Sequence, residues 1–209
     1  MDELVKLGLA KWPNVPDCFG WLALDARGRW RIGETRQPIN HAPTVGFINR
    51  NYTSDGDGRW LFQNGPQRVY VDLEYTPYVF RLQPDAASVC LVDHVGTRTT
   101  RPDALWIDDG GQFLVQCAGR IGALHDHDGA QLLGYITDSD GGTLADGALG
   151  EAIEAAIGRT GEAADTGLSL CWPGAPALIG VASISRAEVP ARFGFEPHPL
   201  AAKRRSDAV

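Results

Sequence analysis

Residues 59–75 read Arg59-Trp60-Leu61-Phe62-Gln63-Asn64-Gly65-Pro66-Gln67-Arg68-Val69-Tyr70-Val71-Asp72-Leu73-Glu74-Tyr75, and this stretch decides the class of fold. Two runs rich in aromatic and β-branched residues flank Asn64-Gly65-Pro66, which marks a β-hairpin. In the second arm Val69, Val71, Leu73 and Tyr75 alternate with Arg68, Tyr70, Asp72 and Glu74. That is the period of two expected of a strand with one face on a core. Thr76-Pro77 breaks the arm, and Tyr78 to Leu82 reads as a further strand.

Working outward, residues 2–10 read as a short helix that Trp12-Pro13 and Pro16 end. Trp21 to Leu24 and Arg29 to Ile32 flank Asp25-Ala26-Arg27-Gly28, a second hairpin. Between the two hairpins Val45, Ile48 and Tyr52 fall at helical spacing, with Pro43 suited to the first turn. On the C-terminal side, Leu105 to Asp108 and Gln112 to Cys117 surround Asp109-Gly110-Gly111. A helix is then expected from Asp128, with Gln131 completing the cap signal, to Ile136. Residues 168–172 and 177–184 form another hairpin. Laid over the first half, His41 matches His125, Ile48 matches Leu132 and Tyr52 matches Ile136. The expectation is an α+β protein of two pseudo-repeated halves, 1–100 and 101–209, each antiparallel hairpin, helix, hairpin.

The segment 138–165 has no counterpart in the first half. Leu149, Ile153 and Ile157 make part of it an amphipathic helix. It also holds seven acids and one base, a net of −6 out of the chain's −7. A short helix is expected over 185–192, and the tail from about 200 to 209 is expected to be disordered.

Hydrophobic residues at 44% and charged residues at 22% are ordinary globular values. No window approaches the ~20 apolar residues of a membrane span, and Met1-Asp2-Glu3-Leu4 lacks the basic start of a signal peptide. A cytoplasmic protein is therefore expected, with no membrane partner. The acidic balance sets nucleic acid aside, since that affinity comes from neutralising phosphates. Cys18, Cys90, Cys117 and Cys171 contain no CxxC pair and read as small hydrophobes.

His125-Asp126-His127-Asp128 carries the residue types that ligate divalent metals. The candidate metal set is His125, His127 and Asp128, and no cofactor is expected unless that set holds a divalent metal. The plainer account is that Asp128 caps a helix and the histidines bond nearby turns. Both His41 and His125 precede an expected helix N-terminus, where unbonded N–H groups favour an anion. Arg50, at the end of the first helix, could hold a carboxylate or phosphate. The candidate ligand-binding residues are thus His41, Arg50, His125, Asp126 and His127. Asp72 and Glu74 share a strand face, which a sheet with one wet face produces unaided. No catalytic residue is assigned.

The stretch from Leu24-Asp25-Ala26-Arg27-Gly28-Arg29-Trp30 through Gly58-Arg59-Trp60 to Val69-Tyr70-Val71-Asp72-Leu73-Glu74-Tyr75-Thr76-Pro77-Tyr78 resembles uncharacterised proteobacterial conserved hypothetical proteins, classed as domains of unknown function. More distantly it is similar to another such family with a repeated hairpin-helix-hairpin architecture and a suggested role in signal transduction. The resemblance covers about residues 20–185. It implies the repeated fold and no catalytic residues. The expected function is a ligand-binding or regulatory protein that holds a small anionic ligand or a protein partner, with a homodimer through exposed sheet edges as one form of partnership. The alternative is a metal-dependent enzyme built on 125–128.

Overall fold

Five tight turns among the described residues share one chemistry. At Asp25, Asp55, Asp93, Asp108 and Asp138 the backbone N–H bonds the carbonyl four residues on, at 2.9–3.0 Å. One carboxylate oxygen takes the N–H of that same residue at 2.7–3.0 Å. The residue between, three on from the aspartate, is in each case a glycine at positive φ, for example Gly28 at 75° and Gly111 at 79°. A Cβ would strain that conformation, so the pattern Asp-x-x-Gly writes the turn directly.

The computed structural model describes residues 1–12, 14–85, 88–158 and 164–201. They form two compact units. The first comprises residues 1–25, 29–74 and 195 onward; the second comprises 26–28 and 75–194. The division falls at 74/75 and 194/195, where the sequence led us to expect one at 100/101. The expected tail from residue 202 and residues 159–163 of the acidic segment lie outside the described residues.

The first unit contains α1 (Glu3–Lys11), β1 (Cys18–Leu24), β2 (Trp30–Ile32), β3 (Gln37–Pro38), α2 (Ala42–Arg50), β4 (Tyr52–Ser54), β5 (Trp60–Asn64) and β6 (Gln67–Leu73). Its sheet runs β3-β2-β1-β6-β5-β4. The central pair β1–β6 is parallel and the others antiparallel. Leu22, Leu24, Trp30, Leu61, Val69, Val71 and Leu73 are buried, as the period of two requires. Ile48 is the buried residue of α2, Phe47 meets Phe62 edge-on at 5.4 Å, and Asn49 accepts the Trp30 indole N–H at 2.7 Å. Tyr70 lies on the opposite strand face yet is buried, stacked under Phe19 at 4.5 Å and donating to Asp55. That face is therefore drier than its polar residues suggest. Residues beyond 194 complete the unit: Leu73 donates to the Pro197 carbonyl and Glu196 to that of Gly58.

The second unit contains β7 (Tyr78–Asp85), β8 (Ser88–Asp93), β9 (Arg98–Thr99), β10 (Ala104–Asp108), β11 (Phe113–Cys117), β12 (Arg120–Leu124), a 3₁₀ turn (Asp126–Asp128), α3 (Gly129–Leu133), β13 (Ile136–Asp138), α4 (Asp146–Ile157), β14 (Ala164–Leu170), β15 (Ile179–Ile184) and α5 (Val189–Phe193). Its nine strands run β13-β14-β15-β10-β11-β12-β7-β8-β9. Here β10–β15 and β12–β7 are the parallel pairs. The core gathers Phe80, Leu105, Ile107, Leu124, Leu170 and Trp172, and Leu149, Ile153 and Ile157 of α4 pack on it as their spacing predicts.

Both internal helices end sooner than their periodicity suggests. Tyr52 opens β4 opposite Phe62, and Ile136 opens β13 opposite Leu170. An apolar residue four beyond the last buried helical position fits either period, and strand pairing claims it. The strand expected at Tyr78 to Leu82 is β7, and β8 and β9, which complete its meander, were not expected.

Candidate functional site

His125-Asp126-His127-Asp128 adopts neither a strand nor an α-helix. His125 ends β12's course by donating to the Phe80 carbonyl, and the next three residues make one 3₁₀ turn. That turn is tighter than an α-helix, and it brings the first three side chains together. His125 Nδ1 lies 2.8 Å from Asp126 Oδ1, and His127 Nε2 lies 3.9 Å from the same oxygen. The other oxygen, Oδ2, takes two hydrogen bonds from Arg27, at 2.6 and 3.1 Å. Burial would raise the Asp126 pKa, but the Arg27 bond and charge and the two imidazoles hold it below the usual carboxylate value. Burial and the Arg81 charge push the His125 imidazole down, against the pull of Asp126.

Asp128 does not join them. Its buried carboxylate takes two bonds from the Arg81 guanidinium, at 2.5 and 3.1 Å, and the Leu82 N–H at 3.0 Å. This corrects the expected metal set, because a carboxylate clamped from three directions has no reason to leave. It also corrects the expected cap, since Asp128 occupies the N-cap of α3 without a side-chain capping bond. Charge-assisted bonds from an arginine outcompete a helix amide.

His41 is the N-cap residue of α2, and its Nδ1 sits 2.8 Å from Thr44 Oγ1. Arg50 lies at the other end of that helix, about 13 Å away along the axis. It pairs with Asp2 at 3.2 Å, which in turn bonds Asn51. His41 and Arg50 thus cannot grip one small anion together, and Arg50 fastens the chain's start to α2.

The sequence reading missed a groove of about 450 Å³ on the first unit, where α2 crosses the sheet. Trp21, Leu22, Ile32, Phe47, Phe62 and Val69 supply its apolar lining, and Thr44, in the first turn of α2, brings a hydroxyl. Trp21 is half exposed and Ile32 over a third exposed, unusual for large apolar strand residues of a sheet covered by a helix. Trp21 and Ile32 lie on adjacent strands, β1 and β2.

Two buried polar clusters in the second unit are structural. The Tyr75 hydroxyl donates to Asp108 at 2.6 Å, with the Arg186 guanidinium 4.0 Å over the Tyr75 ring. Burial, then the Asp108 bond, raises the Tyr75 pKa far above its ordinary value. His94 lies in the Asp93 turn against Gly28, where an added Cβ would fall 2.8 Å from the His94 Cβ. Val79 donates to its Nδ1 at 3.4 Å, and burial pushes its pKa down from 6.5 to about 3. Between those values the unfolded chain holds a proton that the native chain does not, so stability falls as pH drops through the window. On the order of 3 kcal/mol is expected to be lost. Urea unfolding at a series of pH values should show a flatter dependence for His94→Gln; an unchanged slope would assign the effect elsewhere.

Cys90 and Cys117 are buried, Cys18 half-buried and Cys171 exposed, all as free thiols. No helix among the described residues is long and apolar enough to cross a membrane.

The model of a family described as DUF2944, protein of unknown function (DUF2946), matches residues 1–200. No curated protein matches the chain. Among solved structures, it is similar to a DUF1285 family protein from Silicibacter pomeroyi, at 16% identity and a TM-score of 0.44, over 61% of this chain and 75% of that one. A DUF1285 family protein from Shewanella baltica is similar at 13% identity and a TM-score of 0.41, over 54% of this chain and 90% of that one.

Proposed function

The chain belongs to that family of unknown function, and from its own geometry we propose that it is a binding protein for a small amphipathic anion. The carrying observation is the groove between α2 and the first sheet, whose volume of about 450 Å³ suits a small molecule. Its apolar lining would take a hydrocarbon or aromatic body. Its polar lining is Asn64, Gln67 and, at the end formed by the first turn of α2, Thr44; that turn has no acidic residue. The opening N–H groups of a helix lack intrahelical partners and carry the positive end of its dipole, so a carboxylate or phosphate fits there. His41, bonded to Thr44, borders that end, which keeps one of the residues singled out by sequence and leaves Arg50 out.

The test uses decanoate and decanol, which share an apolar chain and differ in charge. At ten times its dissociation constant decanoate should stabilise by about 1.4 kcal/mol and raise the melting temperature by about 4 °C. Thr44→Glu puts a like charge at the anion end while suiting the helix N-terminus; it should fold normally and lose the decanoate shift. An equal shift in wild type and variant, or none in either, would sink the proposal.

We also infer that the protein carries two copies of one six-stranded plan, over β1–β6 and β10–β15. Supporting this, both read third-second-first-sixth-fifth-fourth across the sheet, with the first and sixth strands parallel. In both, a helix joins the third strand to the fourth and an Asp-x-x-Gly turn joins the first to the second. His41 and His125 then hold equivalent places, at the entry to the joining helix.

A further inference from the structure

We propose that His125, Asp126 and His127 form a binding site for a divalent first-row transition metal ion, zinc being the best match to two imidazoles and a carboxylate. The three donor atoms, one from each residue, all lie within 4.8 Å of one another. Around an ion with bonds of about 2.0–2.1 Å, tetrahedral donors sit about 3.3 Å apart. The separations of 2.8 and 3.9 Å from Asp126 Oδ1 bracket that value. His127 is largely exposed, so its ring closes the remaining gap by a small rotation.

The surroundings are those of a supported site. Arg27 holds Oδ2 of Asp126 and turns Oδ1 toward both rings, as outer-sphere partners orient carboxylate ligands. The turn is anchored on either side, at Phe80 through the His125 N–H and at Arg81 and Leu82 through Asp128. His125 Nδ1 also accepts the His127 N–H at 3.2 Å, a bond that a metal ion would displace; the alternative is a ring proton shared with Asp126 Oδ1 in a simple pair at 2.8 Å. A proton accounts for that pair alone; it does not account for His127 Nε2 facing the same oxygen. Three protein donors with one side exposed leave coordination positions open for water or an exchangeable ligand. The nearby Arg27 charge opposes a cation, so micromolar rather than nanomolar affinity is expected.

Zinc alone is the probe, titrated calorimetrically into the full untagged chain, with cobalt absorbance as a second readout of nitrogen ligation. One ion should bind per chain. Asp126→Asn and His127→Ala should each weaken binding at least about tenfold, with the circular dichroism spectrum unchanged, since both side chains lie at the surface. His198→Ala, which removes an exposed histidine elsewhere, should bind as wild type does. Wild type that takes up no zinc at about 1 mM, or zinc affinity that survives in His127→Ala, overturns the proposal.

Discussion

Asp108→Ala is expected to cost about 4 kcal/mol of stability. The residue has no exposed surface, yet its carboxylate serves the Tyr75 hydroxyl at 2.6 Å, the Gly110 N–H at 2.9 Å and the Gln112 N–H at 2.7 Å. Alanine strands those donors beside an Arg186 guanidinium that stood 3.9 Å from the carboxylate. Asp108→Asn keeps an oxygen for the two backbone donors, and the tyrosine hydroxyl can turn to accept from the new amide, so about 1–2 kcal/mol is expected there. Urea unfolding ranks the two; an alanine variant within about 1 kcal/mol of wild type would show that the turn holds without its carboxylate.

Gly122→Ala should be nearly as damaging for a different reason. In the parallel pair β12–β7, Gly122 lies opposite Tyr78, and an added Cβ would sit 2.6 Å from the Tyr78 carbonyl oxygen and 2.8 Å from two atoms of the Phe80 ring. The oxygen is main chain and the ring is fully buried, so relief requires separating the strands. The expected cost is about 3 kcal/mol, or a fall in melting temperature of about 10 °C. Gly180→Ala makes the comparison, since a Cβ there meets nothing within 4 Å on β15. Equal melting temperatures for the two variants would refute the steric account.

The hairpins were legible because their signals are local. Asn64-Gly65-Pro66 and the Asp-x-x-Gly turns at Asp25 and Asp108 carry their own hydrogen-bond chemistry, and strand alternation beside them does the rest. The meander β7–β9 was harder: Asp93-His94-Val95-Gly96 has the same turn chemistry, but a histidine and a valine disguise it. At the candidate sites the deciding facts are tertiary. Asp126 and Asp128 look interchangeable in the string; Arg27, 99 positions away, selects one, and Arg81, 47 away, takes the other. The groove likewise depends on Phe47 of α2 and on Trp21 and Val69 of the sheet lining one space, which no spacing announces.

The first unit borrows its final piece from the far end of the chain: the carbonyl of Pro197 and the N–H of Glu196 bond residues of the 58–73 region. On a ribosome those residues emerge only after all of 75–194. The local hairpins can form early, but pairing β1 with β6 must first close a long loop, which is slow, and the last bonds must wait until residues 196 and 197 have emerged. Emergence of residues 196 and 197 is therefore a structural event for the N-terminal region, and a chain stalled at residue 194 should expose that region to proteases and chaperones even with the second unit already folded.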